Sequence, residues 1–171
     1  MGRGNALAEA MEIVNSDVVV ELSSDGNEDP NTIIHLLSEI ERGADLVIAS
    51  RFIAGGATDD SDDPVKTRRL GNKILTFLAN AFWGTRLTDS TNGLRAFTRE
   101  AWKMMRIYAP HFEAEFLISI RAGKLKLKIA EVSTKEGSRL GGKVKARTLR
   151  AGWQLLLVVV RELLIGNRFM A

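Results

Sequence analysis

An acidic turn follows the first strand-like run of the sequence, and its oxygen-bearing side chains are the first candidates for chemistry. Residues 18–22 are mostly apolar and β-branched, and Asp25 comes three residues after them. In open α/β sheets, ligands bind just beyond the carboxyl ends of the strands. A carboxylate there can hold a divalent ion that neutralises a phosphate leaving group. Asp25 could therefore bind a metal, or it could be only a turn residue before Gly26.

The composition restricts this chemistry further. The chain has 171 residues, 45% of them hydrophobic, which is enough for one well-buried domain. It has no cysteine, which excludes disulfides, thiolate metal sites and a cysteine nucleophile. Because the chain has only 2 histidines, a bound metal would depend on oxygen ligands, which favours Mg2+ or Mn2+.

Positive charge is concentrated near the C-terminus. The formal net charge is +3, and residues 139–161 contain six basic side chains and no acidic one. This asymmetry suggests an anionic partner, either a lipid phosphate, a membrane surface or nucleic acid. We expect no nucleic acid, because the segment lacks interleaved aromatic residues and any recognised motif. Glu9 and Glu12 interrupt the apolar N-terminus, so no signal peptide is predicted and a cytoplasmic location is expected.

Helix and strand patterns alternate along the chain, which indicates an α/β fold. Strands are predicted at 18–22, 46–49 and 94–97, and a half-exposed edge strand at 125–129. Helices are predicted near the N-terminus, from Pro30 to about Gly43 with Asp29 as cap, and at about 70–83, 98–106 and 113–123. The first two strands and their helix predict a parallel, right-handed βαβ unit.

The last predicted helix, residues 145–165, has a basic stripe on an otherwise apolar cylinder. At 100° per residue the stripe occupies an arc of about 60°, and it contains Lys143, Arg147, Arg150, Gln154, Arg161 and Arg168. The apolar run is shorter than the roughly 20 residues needed to span a bilayer, so the helix could lie in the membrane interface. It could equally be a core helix with one solvated face, or be buried by homo-oligomerisation. We therefore divide the chain into a domain at 1–144 and an amphipathic helix at 145–171.

Six short motifs occur in a characteristic order. They are Ser23-Ser24-Asp25-Gly26-Asn27-Glu28-Asp29-Pro30, Ala49-Ser50-Arg51-Phe52 with Gly55-Gly56, Arg68-Arg69-Leu70-Gly71-Asn72, Asp89-Ser90-Thr91-Asn92-Gly93-Leu94-Arg95-Ala96-Phe97, Phe112-Glu113-Ala114-Glu115 and Ala130-Glu131-Val132. The ordered set resembles family 2 glycosyltransferases, and most closely their dolichol- or polyprenyl-phosphate mannosyltransferase-like branch. The resemblance covers about residues 2–142. It implies a GT-A-type, Rossmann-like fold with a mixed, mostly parallel sheet flanked by helices.

The resemblance also implies an activity, namely inverting transfer of a sugar from a nucleotide-sugar donor to a polyprenyl phosphate such as dolichyl or undecaprenyl phosphate. It implies a catalytic role for Asp89 and Asp25, and Mg2+ or Mn2+ bound by Asp25, Asn27 and Ser23. The substrate-binding residues that it implies are Arg51, Arg68, Arg69, Asn72, Arg95, Arg139 and Lys143. Such an enzyme would be cytoplasmic and peripheral at the inner face of the membrane.

Two features depart from the family pattern. Ser23 occupies the position of the leading metal-motif aspartate, so divalent-ion affinity should be weaker. The first residues, Gly2-Arg3-Gly4, resemble a mid-domain Gly-Lys-Gly segment of the family, so the usual nucleotide-binding segment has no counterpart. We therefore expect an N-terminally truncated fold, or a partner half encoded upstream.

Purely structural roles remain possible for the site residues, and a noncatalytic function remains possible for the chain. Without the family, Arg51 could cap a strand end, Arg68 and Arg69 could pair with the acidic residues at 59–63, and Asp89 could be a turn residue. The alternative function is a truncated, noncatalytic family member that binds a lipid phosphate or a partner protein.

Overall fold

A computed structural model describes residues 2–53, 57–58, 67–137 and 148–170. The helices are α1 (Arg3–Ile13), α2 (Thr32–Glu41), α3 (Thr67–Trp83), α4 (Arg99–Met105), α5 (Glu113–Lys124) and α6 (Thr148–Ile165), followed by a 3₁₀ helix (Arg168–Met170). The strands are β1 (Val18–Glu21), β2 (Leu46–Ser50), β3 (Ala57–Thr58), β4 (Arg95–Thr98), β5 (Ile129–Ser133) and β6 (Lys135–Glu136).

The main sheet has the strand order β1-β4-β2-β5. β5 pairs parallel with β2, whereas β4 runs antiparallel to both of its neighbours. β1 and β2 therefore run in the same direction, as predicted, but β4 lies between them. A second, two-stranded parallel sheet pairs β3 with β6. The predicted mixed α/β sheet flanked by helices is confirmed.

Strand β2 forms the centre of the core, because all five of its residues are buried. Leu46 and Ile48 pack on one face in a cluster with Phe97 and Ile118, beneath α4 and α5. Val47 and its neighbours on the opposite face pack against α2. Burial on both faces explains why this strand reads as a continuous apolar run in the sequence.

Two sequence expectations about element boundaries were wrong. Helix α2 begins at Thr32 rather than Pro30, because Asp29 Oδ1 accepts hydrogen bonds from the backbone and side-chain nitrogens of Asn31 and so forms a turn before the helix. Residues 125–128 form a turn after α5 rather than a strand, with Lys126 at φ +54°. The edge strand begins only at Ile129.

Helix α6 packs on α3 and α5 through a cluster that includes Leu75, Phe116, Leu155 and Val158. Of the predicted basic stripe, Arg161 and Arg168 are exposed and Gln154 is half-buried. Lys143 and Arg147 lie outside the described residues, and the Arg150 side chain is not described. No helix in the described part of the chain combines the length and apolar character required to cross a membrane.

Candidate active site

The sequence motifs converge at one edge of the main sheet. β1, β2 and β5 all end there, and the antiparallel strand β4 begins there. Arg51 directly follows β2, and the loop that carries Asp89 leads into β4. An isolated bridge between Glu28 and Glu136 joins the acidic turn after β1 to β6. Side chains from four distant parts of the sequence therefore meet at this edge.

The centre of this edge is a buried ion pair between Arg51 and Asp89. The Arg51 Nε donates to Asp89 Oδ2 at 2.7 Å, and Nη2 donates to Oδ1 at 3.0 Å. The Asp89 side chain is fully buried, and 15% of the Arg51 side chain is exposed. Burial alone would lower the pKa of Arg51, but the charge of Asp89 and the hydrogen bonds to it outweigh burial and raise that pKa. The guanidinium is therefore held as a fixed cation.

The edge strand β5 orders the backbone around Asp89. Glu131 Oε1 accepts hydrogen bonds from the backbone nitrogens of Asp89 and Thr88, at 2.9 and 3.0 Å. Burial raises the pKa of Glu131, although these hydrogen bonds oppose the shift. On the other side, Arg51 Nη1 donates to Glu136 Oε2 at 3.4 Å. Strands β5 and β6 thus hold the Arg51–Asp89 pair in place.

A second charge cluster, in which Arg3 is partly exposed and the other members are buried, lies beside the first. Arg3 Nε lies 3.1 Å from Glu21 Oε1 and 2.8 Å from Glu115 Oε1. Arg95 is fully buried, with Nη1 donating to the Glu115 carbonyl at 2.7 Å and Nη2 donating to the carbonyl of Asn92. The cluster thus joins α1, β1, β4 and α5 through two arginines and two glutamates.

Burial makes Glu115 a group that titrates near neutral pH. Burial raises its pKa from 4.5 to about 7, with the charge of Arg3 opposing the shift and that of Glu21 adding to it. The folded protein thus retains a proton that the unfolded chain releases, so the contribution of Glu115 to stability is complete below its unfolded pKa and is lost as pH rises through 7.

We therefore expect the free energy of unfolding to fall by on the order of 3 kcal/mol through this group as pH rises from about 4.5 to 7.5. Urea denaturation across that range measures the slope, and Glu115→Gln should flatten it. The exposed Glu12 offers a matched control, since Glu12→Gln should leave the slope intact. An equal slope in Glu115→Gln would contradict the assignment.

A pocket of about 280 Å³ opens beside both clusters. Its polar lining consists of Arg3, Arg51, Arg68, Asn72, Thr91 and Glu115, and apolar side chains of α3, α5 and α6 complete the wall. The lining contains three arginines and one glutamate, a composition that favours an anionic ligand. Guanidinium forks match the geometry of phosphate oxygens. The arrangement suits the binding and orientation of a phosphate group.

The model of the family described as glycosyl transferase family 2 matches residues 1–105. The chain belongs to this family. Among the relatives of this family 2 chain is the low-salt glycan biosynthesis hexosyltransferase Agl6 of Haloferax volcanii, which is 30% identical over 131 residues, or 76% of this chain and 31% of the relative. The UDP-N-acetylglucosamine dolichyl-phosphate N-acetylglucosaminyltransferase of Methanococcus voltae is 31% identical over 123 residues, or 70% of this chain and 48% of the relative.

A third relative is the polyprenol monophosphomannose synthase of Mycolicibacterium smegmatis, which is 33% identical over 96 residues, or 54% of this chain and 34% of the relative. The chain thus spans between 31% and 48% of the length of these three relatives.

Solved structures share the fold of this family 2 chain. Glucosyl-3-phosphoglycerate synthase of Mycobacterium tuberculosis, solved with Mn2+ and UDP-glucose, superposes with a TM-score of 0.62 at 19% sequence identity. The superposition covers 93% of this chain and 53% of the synthase chain. Another mycobacterial protein superposes with a TM-score of 0.70 at 21% identity, over 94% of this chain and 51% of its own. At such identities the likeness shows the fold alone.

The acidic turn offers oxygen donors that fit a shared cation. Asn27 Oδ1 is buried without a hydrogen-bond partner among the described residues, and Ser23 and Asp25 lie in the same turn. The part of the chain that the structure describes holds no cluster of three or more histidine, cysteine, aspartate or glutamate side chains able to bind a metal. Mg2+ commonly uses one or two carboxylates together with substrate phosphates. The oxygen ligands of the acidic turn therefore fit an ion that also binds a substrate phosphate. They fit a site made of protein ligands alone less well.

The structure places the other predicted site residues in different settings. Arg51, Arg68 and Asn72 line the pocket, whereas Arg69 is exposed with its guanidinium 5.7 Å from the centre of the Phe52 ring. Arg95 does not line the pocket, because its guanidinium is buried against the carbonyls of residues 92 and 115. Arg139 and Lys143 lie outside the described residues.

Sequence reasoning gave no role to three residues of this edge. Arg3 and Thr91 line the pocket, and Glu136 contacts Arg51. They lie on three separate elements, namely α1, the loop that precedes β4, and strand β6. No spacing rule in the sequence therefore connects them. The one available signal was the pair of glycines on either side of Arg3, which indicates close backbone packing at that point.

Proposed function

We propose that this family 2 chain acts in the transfer of a sugar from a nucleotide-sugar donor to a polyprenyl phosphate, with inversion at the anomeric carbon. The observation that carries the proposal is the pocket in which Arg51, fixed by buried Asp89, lies beside Arg68 and Asn72. Two relatives support the acceptor class, since one is a dolichyl-phosphate N-acetylglucosaminyltransferase and the other a polyprenol monophosphomannose synthase.

The chemistry requires positioning more than a strong base. An oxygen of the acceptor phosphate attacks the anomeric carbon while the bond from that carbon to the donor diphosphate breaks, and the electron pair leaves with the nucleoside diphosphate. Attack from the face opposite the leaving group inverts the configuration. Because the acceptor phosphate is already anionic near neutral pH, orientation and charge stabilisation supply the catalysis. Both oxygens of Asp89 are bound by Arg51, so we assign Asp89 the role of positioning Arg51.

Ser23, Asp25 and Asn27 would hold the divalent ion, either Mg2+ or Mn2+. When bound, such an ion supplies charge that stabilises the diphosphate leaving group. The acidic turn is ordered for this role by Glu28, whose Oε2 accepts from the Ser23 backbone nitrogen at 2.6 Å. Gly26 permits the turn through its φ of +74°.

The test is a transfer assay with UDP- and GDP-sugars and a short-chain polyprenyl phosphate, with product detected by mass spectrometry. We expect Arg51→Lys to lower kcat/KM about 10- to 100-fold, because lysine retains the charge but loses the two-point contact with Asp89 that fixes the cation at the pocket. Arg42→Lys is the control, since Arg42 is exposed and pairs with Glu39 at the end of α2, outside the pocket that Arg51 lines. Equal activity in the Arg51 variant would count against the proposal.

A noncatalytic phosphate-binding module is the second candidate. The observation that favours it is the small number of anionic ligands in the acidic turn, where serine stands at position 23 and the described residues offer no three-member metal cluster. The two candidates differ in turnover. Binding of prenyl phosphate with no product from any nucleotide sugar would favour the module.

We also propose that α3 and α6 contact a membrane surface that presents the polyprenyl acceptor. The two helices pack together and both expose large apolar side chains, notably Phe77 at 68%, Trp153 at 64% and Leu164 at 77% exposure. Contiguous exposed apolar patches mark interaction sites, and the exposed Arg161 and Arg168 add cations suited to anionic lipid.

Liposome flotation tests this contact. We expect the double variant Phe77→Gln, Trp153→Gln to bind anionic vesicles about tenfold or more weakly than wild type, because two aromatic side chains no longer enter the lipid interface. Tyr108→Gln is a suitable control, since Tyr108 is 82% exposed but lies outside both helices. Absence of wild-type flotation, with or without salt, would remove the membrane proposal.

A further inference from the structure

The N-terminal Gly2-Arg3-Gly4 segment packs too closely against residues 109–111 for any side chain at its two glycines. A Cβ atom at Gly4 would lie 1.9 Å from the carbonyl oxygen of Ala109, and one at Gly2 would lie 2.1 Å from that of Pro110. The backbone nitrogen of Asn5 donates to the same Pro110 carbonyl at 3.2 Å. The two glycines therefore allow the start of α1 to lie directly on the turn before α5, with Arg3 between them.

This packing places the Arg3 guanidinium at the wall of the pocket. Its Nε is held by the buried carboxylates of Glu21 and Glu115. Its Nη2 lies in a space that only glycine leaves open, because a Cβ at Gly93 would come within 2.3 Å of it. Three glycines thus serve the placement of one side chain.

The hydrogen-bond capacity of Arg3 differs from that of Arg51. A guanidinium carries five N–H donors. Arg51 directs Nε and Nη2 to Asp89, Nη2 also to Thr91 and Nη1 to Glu136. Arg3 uses Nε, and within the described residues neither of its Nη atoms makes a hydrogen bond. Of these two pocket arginines, Arg3 therefore has more donors left for a ligand, and 39% of its side chain is exposed.

We infer that Arg3 binds a phosphate group of the substrate through its two Nη atoms. Glu21 and Glu115 orient the guanidinium from behind, as Asp89 orients that of Arg51. Gly93 is a positioning residue, because its lack of a side chain leaves room for the fork. The inference rests on the proposed function for the source of the phosphate, which is either the donor diphosphate or the acceptor monophosphate.

Calorimetric titration of the full chain with two probes tests the inference. The probes are a short-chain prenyl monophosphate and UDP or GDP with Mg2+. We expect Arg3→Lys to weaken at least one of them about tenfold, because an ammonium retains the charge but loses the paired Nη donors. A loss with the monophosphate alone assigns Arg3 to the acceptor, and a loss with the diphosphate alone assigns it to the donor.

Gly93→Ala provides a second variant that removes no charge. Its methyl group would displace the guanidinium of Arg3, so we expect weaker binding of the same probe by the folded variant. In the Arg3→Lys background, Gly93→Ala should add little further loss. Arg99→Lys is the matched control, because Arg99 contacts Asn15 and lies outside the pocket.

The inference and the proposed function fail in different ways. Unchanged affinity for both probes in folded Arg3→Lys and Gly93→Ala proteins would overturn the inference, even if wild type transfers sugar. Weakened binding in those variants, together with a wild type that transfers no sugar, would support the inference and overturn the transferase proposal.

Discussion

Asp89→Asn is expected to lower the free energy of unfolding by about 3–5 kcal/mol, the range found when one partner of a buried ion pair is removed. Asparagine keeps the shape of aspartate but presents an NH2 group in place of one oxygen. That group would face either Nε or Nη2 of Arg51, both of which are donors. Among the described residues, the buried guanidinium would then keep only Glu136, at 3.4 Å, as an ionic partner.

Urea denaturation at neutral pH measures this effect. Asp17→Asn is the matched control, because Asp17 is exposed and its backbone carbonyl, which the substitution retains, accepts a hydrogen bond from the backbone nitrogen of Arg99. We expect the control to remain within about 0.5 kcal/mol of wild type. A similarly small change in Asp89→Asn would show that the pair contributes little to the fold.

The Asp89→Asn variant also distinguishes a positioning role of Asp89 from a direct catalytic role. If Asp89 acts through Arg51, its substitution weakens prenyl-phosphate binding, and the loss overlaps with that of Arg51→Lys in a double-mutant cycle. A residue that acted only as a base would instead lower kcat at unchanged phosphate affinity. Additive losses in affinity would contradict the positioning role.

The sequence predicted those parts of the fold that have local causes. Helices α4 and α5 and strand β4 appear within a few residues of the predicted positions, because apolar periodicity and length determine such elements. The insertion of β4 between β1 and β2 could not be predicted, since it depends on pairing between residues such as Val19 and Phe97. The turn at 125–128 was missed because alternating Leu and Lys imitate strand periodicity.

The sequence predicted several residues that line the pocket, but it did not predict which of the side chains contact one another. The resemblance named Arg51, Arg68 and Asn72, and these side chains line one pocket. The same resemblance suggested a direct role for Asp89, whereas its burial and its two bonds to Arg51 appear only in three dimensions. Thirty-eight residues separate the two partners, and no spacing rule extends that far.

A third buried ionic network fixes α6 against the rest of the protein. Glu162 is fully buried, and its two oxygens accept from Arg121 Nη2 at 3.1 Å and from Lys124 Nζ at 2.7 Å. Lys124 also donates to the carbonyls of Glu162 and Gly166 at the end of α6, and Phe169 lies over both cations. Because Ala151, Gly152 and Leu155 of α6 line the pocket beside Arg3 and Arg51, this network also fixes one wall of that pocket.

Burial alone would raise the pKa of Glu162, but the hydrogen bonds and charges of Arg121 and Lys124 outweigh burial and lower it. A carboxylate with a lowered pKa stabilises the fold above its unfolded pKa, and that contribution is lost as pH falls through the folded value. The effect of Glu162 on stability should therefore be largest at neutral pH and decrease in acid.

Glu162→Gln should accordingly lower the free energy of unfolding by about 3–5 kcal/mol at pH 7, because two cations lose their shared anion in a buried site. Urea denaturation at pH 7 and near pH 4 measures the change, and the difference from wild type should shrink in acid. Glu41→Gln serves as the control, since Glu41 is exposed at the end of α2. If the loss comes from unpaired charge, Lys124→Met in the Glu162→Gln background should cost less than Lys124→Met in wild type. Equal losses in both backgrounds would show that the helices are held by apolar packing, and that the ionic network does not determine the position of α6 beside the pocket.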